Sequence, residues 1–106
     1  MVQGITPAEL KTSKDAGEDV ALIDVREPWE HQYARIPDSE LRPLGDIDAW
    51  APALDPGKPY VLYCHSGVRS FHACLLLERM GFQAVKNLSG GIDAWSVEVD
   101  PQVPRY

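Results

Sequence analysis

Short apolar runs alternate with longer mixed segments along the chain, and this alternation predicts its secondary structure. The run at residues 20–25 is nearly continuous, as in a strand that is buried on both faces of a sheet, and residues 60–63 and 84–88 are interpreted as two further strands. A brief fourth strand is predicted near residues 40–42. Segments of helical length separate the runs, so the order of elements predicts an α/β domain with a parallel sheet.

The predicted helices have recognisable ends. Thr6 and Glu9 have the spacing of a capping box, so the first helix is predicted to begin there and to end at Gly17. Gly90 and Gly91 are interpreted as a tight turn that needs positive φ or close packing. Further helices are predicted at residues 28–33, from about residue 46, at 68–80 and at 92–97.

Composition adds limits on the possible functions. The chain has 106 residues and a formal net charge of −6, which fits one domain and argues against nucleic acid or an anionic membrane as a partner. We expect a single domain over residues 1–106, with its core at about 5–97 and an extended or partly loose tail at 98–106. The first residues lack the pattern of a signal peptide and no segment has the length of a membrane span, so we expect a cytoplasmic protein.

The strand at residues 60–63 leads directly into Cys64, a short polar loop and the helix at 68–80. The sulfur is therefore predicted to lie beside backbone N–H groups at a helix N-terminus, and both features favour a thiolate over a thiol. Asp24 and Arg26 end another strand and are expected to brace the loop by hydrogen bonds more than to touch substrate. The candidate substrate-binding residues are His65, Ser66, Gly67, Val68, Arg69 and Ser70.

Other roles for the cysteines and histidines remain open at this point. A Cys–His dyad would need His65 or His72 as the base, although adjacent residues in a tight loop seldom face each other. A zinc site would lack the usual paired spacing of its ligands. Cys74 is interpreted as a core residue that forms no disulfide with Cys64, and a resolving or redox-sensing thiol is the alternative. His31 and His72 are interpreted as solvated surface residues.

Five stretches of the chain follow one another in the order of a known family: LIDVREPWE, IP, PLG, VLYCHSGVRS and NLSGGIDAW. Together they resemble the rhodanese family, and specifically its single-domain sulfurtransferases. The resemblance implies a single rhodanese-like domain with a central five-stranded parallel sheet and helices on both faces. It also implies that Cys64 accepts sulfane sulfur, with no metal and no organic cofactor.

Loop length narrows the activity that this resemblance implies. Cys64 and Arg69 form a Cys-x4-Arg loop, whereas the dual-specificity phosphatases and arsenate reductases that resemble this fold have one more residue before the arginine. The shorter loop favours sulfur chemistry. The chain also departs from the family, which commonly has Gly-His-Ile-Pro-Gly-Ala where residues 34–39 read Ala-Arg-Ile-Pro-Asp-Ser, so we expect it to differ from its relatives there.

The predicted function is transfer of sulfane sulfur from a small anionic donor, thiosulfate or a persulfide, to a thiophilic acceptor through a Cys64 persulfide. The acceptor would be cyanide, a small thiol or a protein thiol. Arg69 would orient the donor, or would instead pair with an acidic residue. The alternatives are a sulfur-carrier or partner-docking module with little turnover and, disfavoured by loop length, a phosphatase or arsenate reductase.

Overall fold

Five parallel strands form the centre of the computed structural model, which describes residues 2–106. Met1, the first residue of the predicted domain, lies outside the described residues. Every neighbouring pair of strands is parallel, so their carboxyl ends meet at one edge of the sheet. The strands are β1 (Gln3–Ile5), β2 (Ala21–Asp24), β3 (Ser39–Leu41), β4 (Pro59–Tyr63) and β5 (Ala84–Leu88), in the spatial order β1-β5-β4-β2-β3.

Helices cover both faces of this sheet, as the family resemblance implied. Neighbouring residues of the central strands point to opposite faces: Val61 packs toward the helices at residues 7–15 and 91–98, and Leu62 packs toward the helices at residues 47–50 and 68–79. Both side chains are buried, which explains why the strands read as continuous apolar runs. The helices are α1 (Pro7–Asp15), α2 (Pro28–Tyr33), α3 (Ile47–Trp50), α4 (Val68–Arg79) and α5 (Gly91–Glu98), with short 3-10 turns at Leu44–Asp46 and Ala51–Ala53.

Most element boundaries follow from the local sequence. The Thr6 hydroxyl accepts from the Glu9 amide at 3.1 Å and the Glu9 carboxylate accepts from the Thr6 amide at 2.9 Å, so the predicted capping box of α1 is confirmed. Strand β1 was not placed from the sequence, because three residues that include Gln3 and Gly4 show no apolar pattern. It becomes a strand through its pairing with β5.

Helix α4 begins directly after the cysteine loop. Gly67 is its N-cap residue and has a φ of 106°, in the left-handed region. The helix has 12 residues, and none of the described helices is long and apolar enough to cross a membrane.

Residues 99–106 pack against the domain, so the prediction of an extended or partly loose tail was wrong. Val103 is 7% exposed and belongs to the buried apolar cluster that includes Ile92 and Trp95 of α5. Arg105 forms a surface ion pair with Asp93 at 2.8 Å. These two contacts anchor the segment, and Tyr106 consequently lies over the loop that follows β4.

Candidate active site

The sulfur of Cys64 lies in the turn between β4 and α4, at the carboxyl edge of the sheet. Three donors surround it: the Gly67 amide at 3.1 Å, the Ser70 amide at 3.4 Å and the Ser70 hydroxyl at 3.3 Å. The residue is 1% exposed. Donors converging on a sulfur atom stabilise negative charge on it, whether the atom belongs to a thiolate or to a persulfide.

Asn87 of β5 holds this loop in place from the neighbouring strand. Its Nδ2 donates to the Gly67 carbonyl at 3.0 Å, and its Oδ1 accepts from the Ser70 hydroxyl at 2.5 Å. The serine hydroxyl has one hydrogen and therefore donates to either Asn87 or Cys64, but not to both at once. Asn87 was not among the residues predicted from the sequence. A polar residue near the carboxyl end of a predicted strand was the signal that could have found it.

The N-terminus of α5 fixes the backbone of the cysteine loop. The Ile92 amide donates to the Cys64 carbonyl at 2.9 Å, and the Asp93 amide donates to the His65 carbonyl at 3.1 Å. This approach requires glycine at position 91, where φ is 62° and a Cβ atom would lie 2.4 Å from the His65 oxygen and 2.5 Å from the Cys64 oxygen. The turn was predicted to need positive φ or close packing, and the structure shows both at Gly91.

Arg69 is paired with an acidic residue. Its two terminal nitrogens donate to both Glu30 oxygens at 2.7 and 2.9 Å. The Tyr106 hydroxyl donates to Glu30 Oε2 at 2.6 Å and accepts from Arg26 Nη1 at 2.8 Å. Glu30 is 3% exposed, and its hydrogen bonds from Arg69 lower the pKa of its carboxyl to about 2. Arg69 was predicted either to orient the donor or to pair with an acidic residue, and the structure shows the pairing with Glu30.

Asp24 and Arg26 form a fully buried pair beneath this cluster. Arg26 donates to the two Asp24 oxygens at 2.8 and 2.7 Å and to the Ala34 carbonyl at 2.5 Å. Asp24 Oδ2 is also 2.9 Å from His31 Nδ1 and accepts a hydrogen bond from the Tyr63 hydroxyl at 3.2 Å. The pair braces β2, β4 and α2, and Arg26 is linked to the cysteine loop through Tyr106, whose ring stacks on His65. The interpretation of His31 as a solvated surface residue was wrong, because α2 turns its ring toward the buried carboxylate.

Aromatic side chains form the rim of the site. The His65 ring stacks on Tyr106 with a centroid distance of 4.2 Å, and Trp29 and Tyr33 approach the same tyrosine edge-on at 5.9 and 6.0 Å. Trp29 and Tyr33 are 62% and 57% exposed. His65 therefore faces the tyrosine, and among the described residues the sulfur of Cys64 takes its hydrogen bonds from the loop and not from a histidine.

An open groove of about 400 Å³ borders the cysteine loop and is lined by Ser66, Gly67, Val68, Phe71, His72, Asn87 and Gly90. Cys74 is buried in α4 and is free, as is Cys64; burial raises the pKa of the Cys74 thiol to about 12. Within residues 2–106, no group of three or more His, Cys, Asp or Glu side chains is placed to hold a metal ion.

The segment that departs from the family sequence is anchored to β4. The Ile36 amide donates to the Tyr63 hydroxyl at 3.2 Å, and the Ser39 hydroxyl lies 2.9 Å from the same oxygen. Asp38 has a φ of 69°, which is the conformation that glycine adopts without steric cost. An aspartate therefore takes the left-handed position where the family commonly has glycine.

Comparison with known proteins gives a consistent result. The family described as "Rhodanese-like domain" matches residues 6–98. The putative sulfurtransferase YtwF of Bacillus subtilis is 40% identical over 101 residues, which are 95% of this chain and 97% of that protein. The crystal structure of a rhodanese-like domain protein from Staphylococcus aureus superposes with a TM-score of 0.85 at 28% identity and covers 99% of both chains.

Other relatives are longer than this chain. It is 40% identical over 93 residues to rhodanese-like/PpiC domain-containing protein 12 of Arabidopsis thaliana, and the match spans 84% of this chain and 31% of that protein. The names of further relatives include sulfurtransferase, putative sulfur carrier protein and adenylyltransferase/sulfurtransferase.

Proposed function

This chain belongs to the rhodanese-like domain family, and we propose that it is a sulfurtransferase that moves sulfane sulfur from thiosulfate or a persulfide to a thiophilic acceptor through a persulfide on Cys64. The observation that carries the proposal is the ring of donors around one sulfur atom. The Gly67 amide, the Ser70 amide and the Ser70 hydroxyl lie 3.1, 3.4 and 3.3 Å from it. Such a cradle stabilises the anionic sulfur at the start and at the midpoint of the reaction.

The reaction has two displacement steps. The Cys64 thiolate attacks the outer sulfur of the donor, a new S–S bond forms, and the bond to the leaving group breaks. Thiosulfate releases sulfite with the electron pair, and a persulfide R–S–S–H releases R–S⁻ and leaves its proton on the transferred sulfur. A cyanide or thiolate acceptor then attacks that terminal sulfur and Cys64 departs as a thiolate. This is covalent catalysis with no general base.

The remaining loop residues are proposed to shape the donor site. Backbone amides between His65 and Ser70 bind the anionic sulfur, and Arg69, which is paired with Glu30 and has 38% of its side chain exposed, borders the donor. The sulfur-transfer partners are a small anionic donor and a small-molecule or protein thiol acceptor. Two free cysteines fit a reducing compartment such as the cytoplasm.

Intact-mass analysis tests the proposal. The wild-type protein and Cys64→Ser are incubated with thiosulfate and, separately, with glutathione persulfide, and the adduct mass is measured before and after cyanide is added. We expect a gain of one sulfur atom, roughly 32 Da, on the wild type that cyanide removes as thiocyanate. Cys74→Ser is the matched control and should gain the same adduct, because burial raises the pKa of the Cys74 thiol to about 12 and that thiol is therefore not expected to take up sulfur.

The outcomes separate the candidate functions. An adduct that needs Cys64 but turns over slowly with every acceptor would favour a carrier module. The absence of any adduct with both donors would refute the sulfurtransferase proposal. Hydrolysis of p-nitrophenyl phosphate that depends on Cys64 would favour the phosphatase alternative.

A further inference from the structure

The charges around Cys64 are balanced in pairs. Arg69 is bound by both oxygens of Glu30. Arg26, which donates to Tyr106 at the mouth of the site, is bound by the buried Asp24. Arg105, which precedes Tyr106 in the chain, is bound by Asp93 on the surface. Among the described residues, an incoming anion thus meets arginines at the mouth that are already paired with carboxylates. Thiosulfate carries two negative charges, and such a site has little to compensate them.

The Glu30 carboxylate is fixed in its position and in its charge. Besides the fork of Arg69, it accepts from the Tyr106 hydroxyl at 2.6 Å and from the Glu27 amide at 3.0 Å. The carboxyl stays ionised at neutral pH, because the hydrogen bonds from Arg69 lower its pKa to about 2. Two neighbours, Tyr106 and the Glu27 amide, therefore hold Glu30 on Arg69, and an oxyanion has to compete with the carboxylate for the guanidinium.

Tyr106 gives the mouth a second property. Its hydroxyl holds Glu30, while its ring stacks on His65 at 4.2 Å and meets Trp29 and Tyr33 edge-on. The resulting rim is aromatic and partly exposed. A rim of this kind contacts the carbon skeleton of an organic thiol better than it contacts the hydrated oxygens of a sulfonate.

We propose that Glu30, positioned by Tyr106, is a specificity-determining residue that makes this site prefer an organic persulfide over thiosulfate as the sulfur donor. The inference rests on the proposed function, since it names the donor class of the same site. The transferred sulfur of R–S–S–H enters the cradle of loop amides, R–S⁻ leaves with the electron pair, and the R group lies against the aromatic rim. Arg69 then supports the carboxylate that excludes competing oxyanions.

The test measures how fast the adduct of one sulfur forms on Cys64, by rapid quench and intact mass, with thiosulfate and with glutathione persulfide as probes. The variants are Glu30→Gln, which keeps an oxygen for the Glu27 amide, and Tyr106→Phe, which removes only the hydroxyl. Glu40→Gln is the matched control, because it removes one negative charge from an exposed pair with Arg42. Thermal melting confirms that each variant is folded.

Glu30→Gln should raise the second-order rate constant for thiosulfate by about tenfold, equivalent to about 1.4 kcal/mol, and change that for glutathione persulfide by less than about threefold. Tyr106→Phe should raise the thiosulfate rate by a smaller factor and add nothing in the Glu30→Gln background, as expected for a residue that acts through Glu30. Glu40→Gln should leave the ratio of the two rates unchanged.

Two failures are distinguishable. If adducts form but the ratio of the two rates is the same in Glu30→Gln and the wild type, the inference is overturned and the proposed function stands. The inference is likewise overturned, and the proposed function stands, if Glu30→Gln favours glutathione persulfide over thiosulfate more strongly than the wild type does. If no adduct forms on the wild type with either donor, the proposed function falls and the inference falls with it.

Discussion

Gly91 is the position where one methyl group should do most harm to this fold. The residue has a φ of 62°, and an added Cβ would lie 2.4, 2.5 and 2.6 Å from the carbonyl oxygens of His65 and Cys64 and the carbonyl carbon of His65. Gly17 provides the matched comparison, because it has a similar φ of 73° but no atom within 4 Å of an added Cβ. The two Gly→Ala variants therefore share the conformational cost and differ in the steric one.

The magnitudes can be worked from this geometry. Placing alanine in the left-handed region costs about 1–2 kcal/mol at either position. At Gly91 the neighbouring carbonyls must also move by about an ångström, and overpacking of a dense interior costs about 1–3 kcal/mol more. The same movement weakens the hydrogen bonds from α5 to the Cys64 and His65 carbonyls, each worth about 1 kcal/mol. We expect a loss of about 3–5 kcal/mol for Gly91→Ala and about 1–2 kcal/mol for Gly17→Ala.

Urea unfolding of the wild type and both variants measures the difference, with the free energy of unfolding taken from linear extrapolation. Because the displaced atoms belong to the cysteine loop, Gly91→Ala should also form the Cys64 persulfide more slowly, whereas Gly17→Ala should form it at the wild-type rate. If Gly91→Ala were no less stable than Gly17→Ala, the close approach of α5 to the loop would not be a constraint on position 91. Steric exclusion of a Cβ atom would then be refuted as the reason for glycine in that turn.

Further predictions concern the neighbours of the loop. Asn87→Ala removes the partners of the Gly67 carbonyl and the Ser70 hydroxyl and should cost about 1–3 kcal/mol in urea unfolding; unchanged stability would contradict the bracing role. Iodoacetamide at pH 8 should leave Cys74 unmodified until the protein is unfolded, because burial raises its pKa to about 12, and a labelled Cys74 peptide from the native protein would count against this. The pKa of Glu30 is lowered from 4.5 to about 2, so its ionised form stabilises the fold above pH ~4.5 and this contribution is lost as the pH falls toward 2. Relative to Glu30→Gln, the wild type should lose about 2–3 kcal/mol over that range in urea titrations at each pH, and parallel pH profiles would exclude it.

Local sequence was sufficient for the cysteine loop. The strand, the cysteine, the glycine at the helix N-terminus and the helix itself are contiguous, so hydrophobic pattern and spacing could place Cys64 at the carboxyl end of β4. The capping box of α1 and the ends of α4 were predictable for the same reason. Strand β1 was not, because its three residues become a strand only through pairing with β5.

The residues that surround the loop come from distant parts of the chain. The Arg69–Glu30 contact spans 39 positions, Tyr106–Glu30 spans 76 and Ser70–Asn87 spans 17. No periodicity or spacing within one element reports such contacts, since they depend on which strands are adjacent and on where residues 99–106 return. The tail was misjudged for this reason, because the burial of Val103 and the ion pair of Arg105 with Asp93 both depend on the position of α5.

The hydroxyl of Ser70 lies between a sulfur atom at 3.3 Å and an amide oxygen at 2.5 Å, and rotation about its C–O bond aims its hydrogen at either one. When Cys64 carries a proton, the Ser70 hydroxyl can donate to Asn87 while its oxygen accepts a hydrogen bond from the Cys64 S–H. When the sulfur becomes anionic, the hydrogen turns toward it. The side chain of Asn87 stays in place, because its Nδ2 remains on Gly67. The pocket can thus reverse its polarity at one atom without moving a heavy atom, and it presents the same shape to an uncharged and to a charged sulfur.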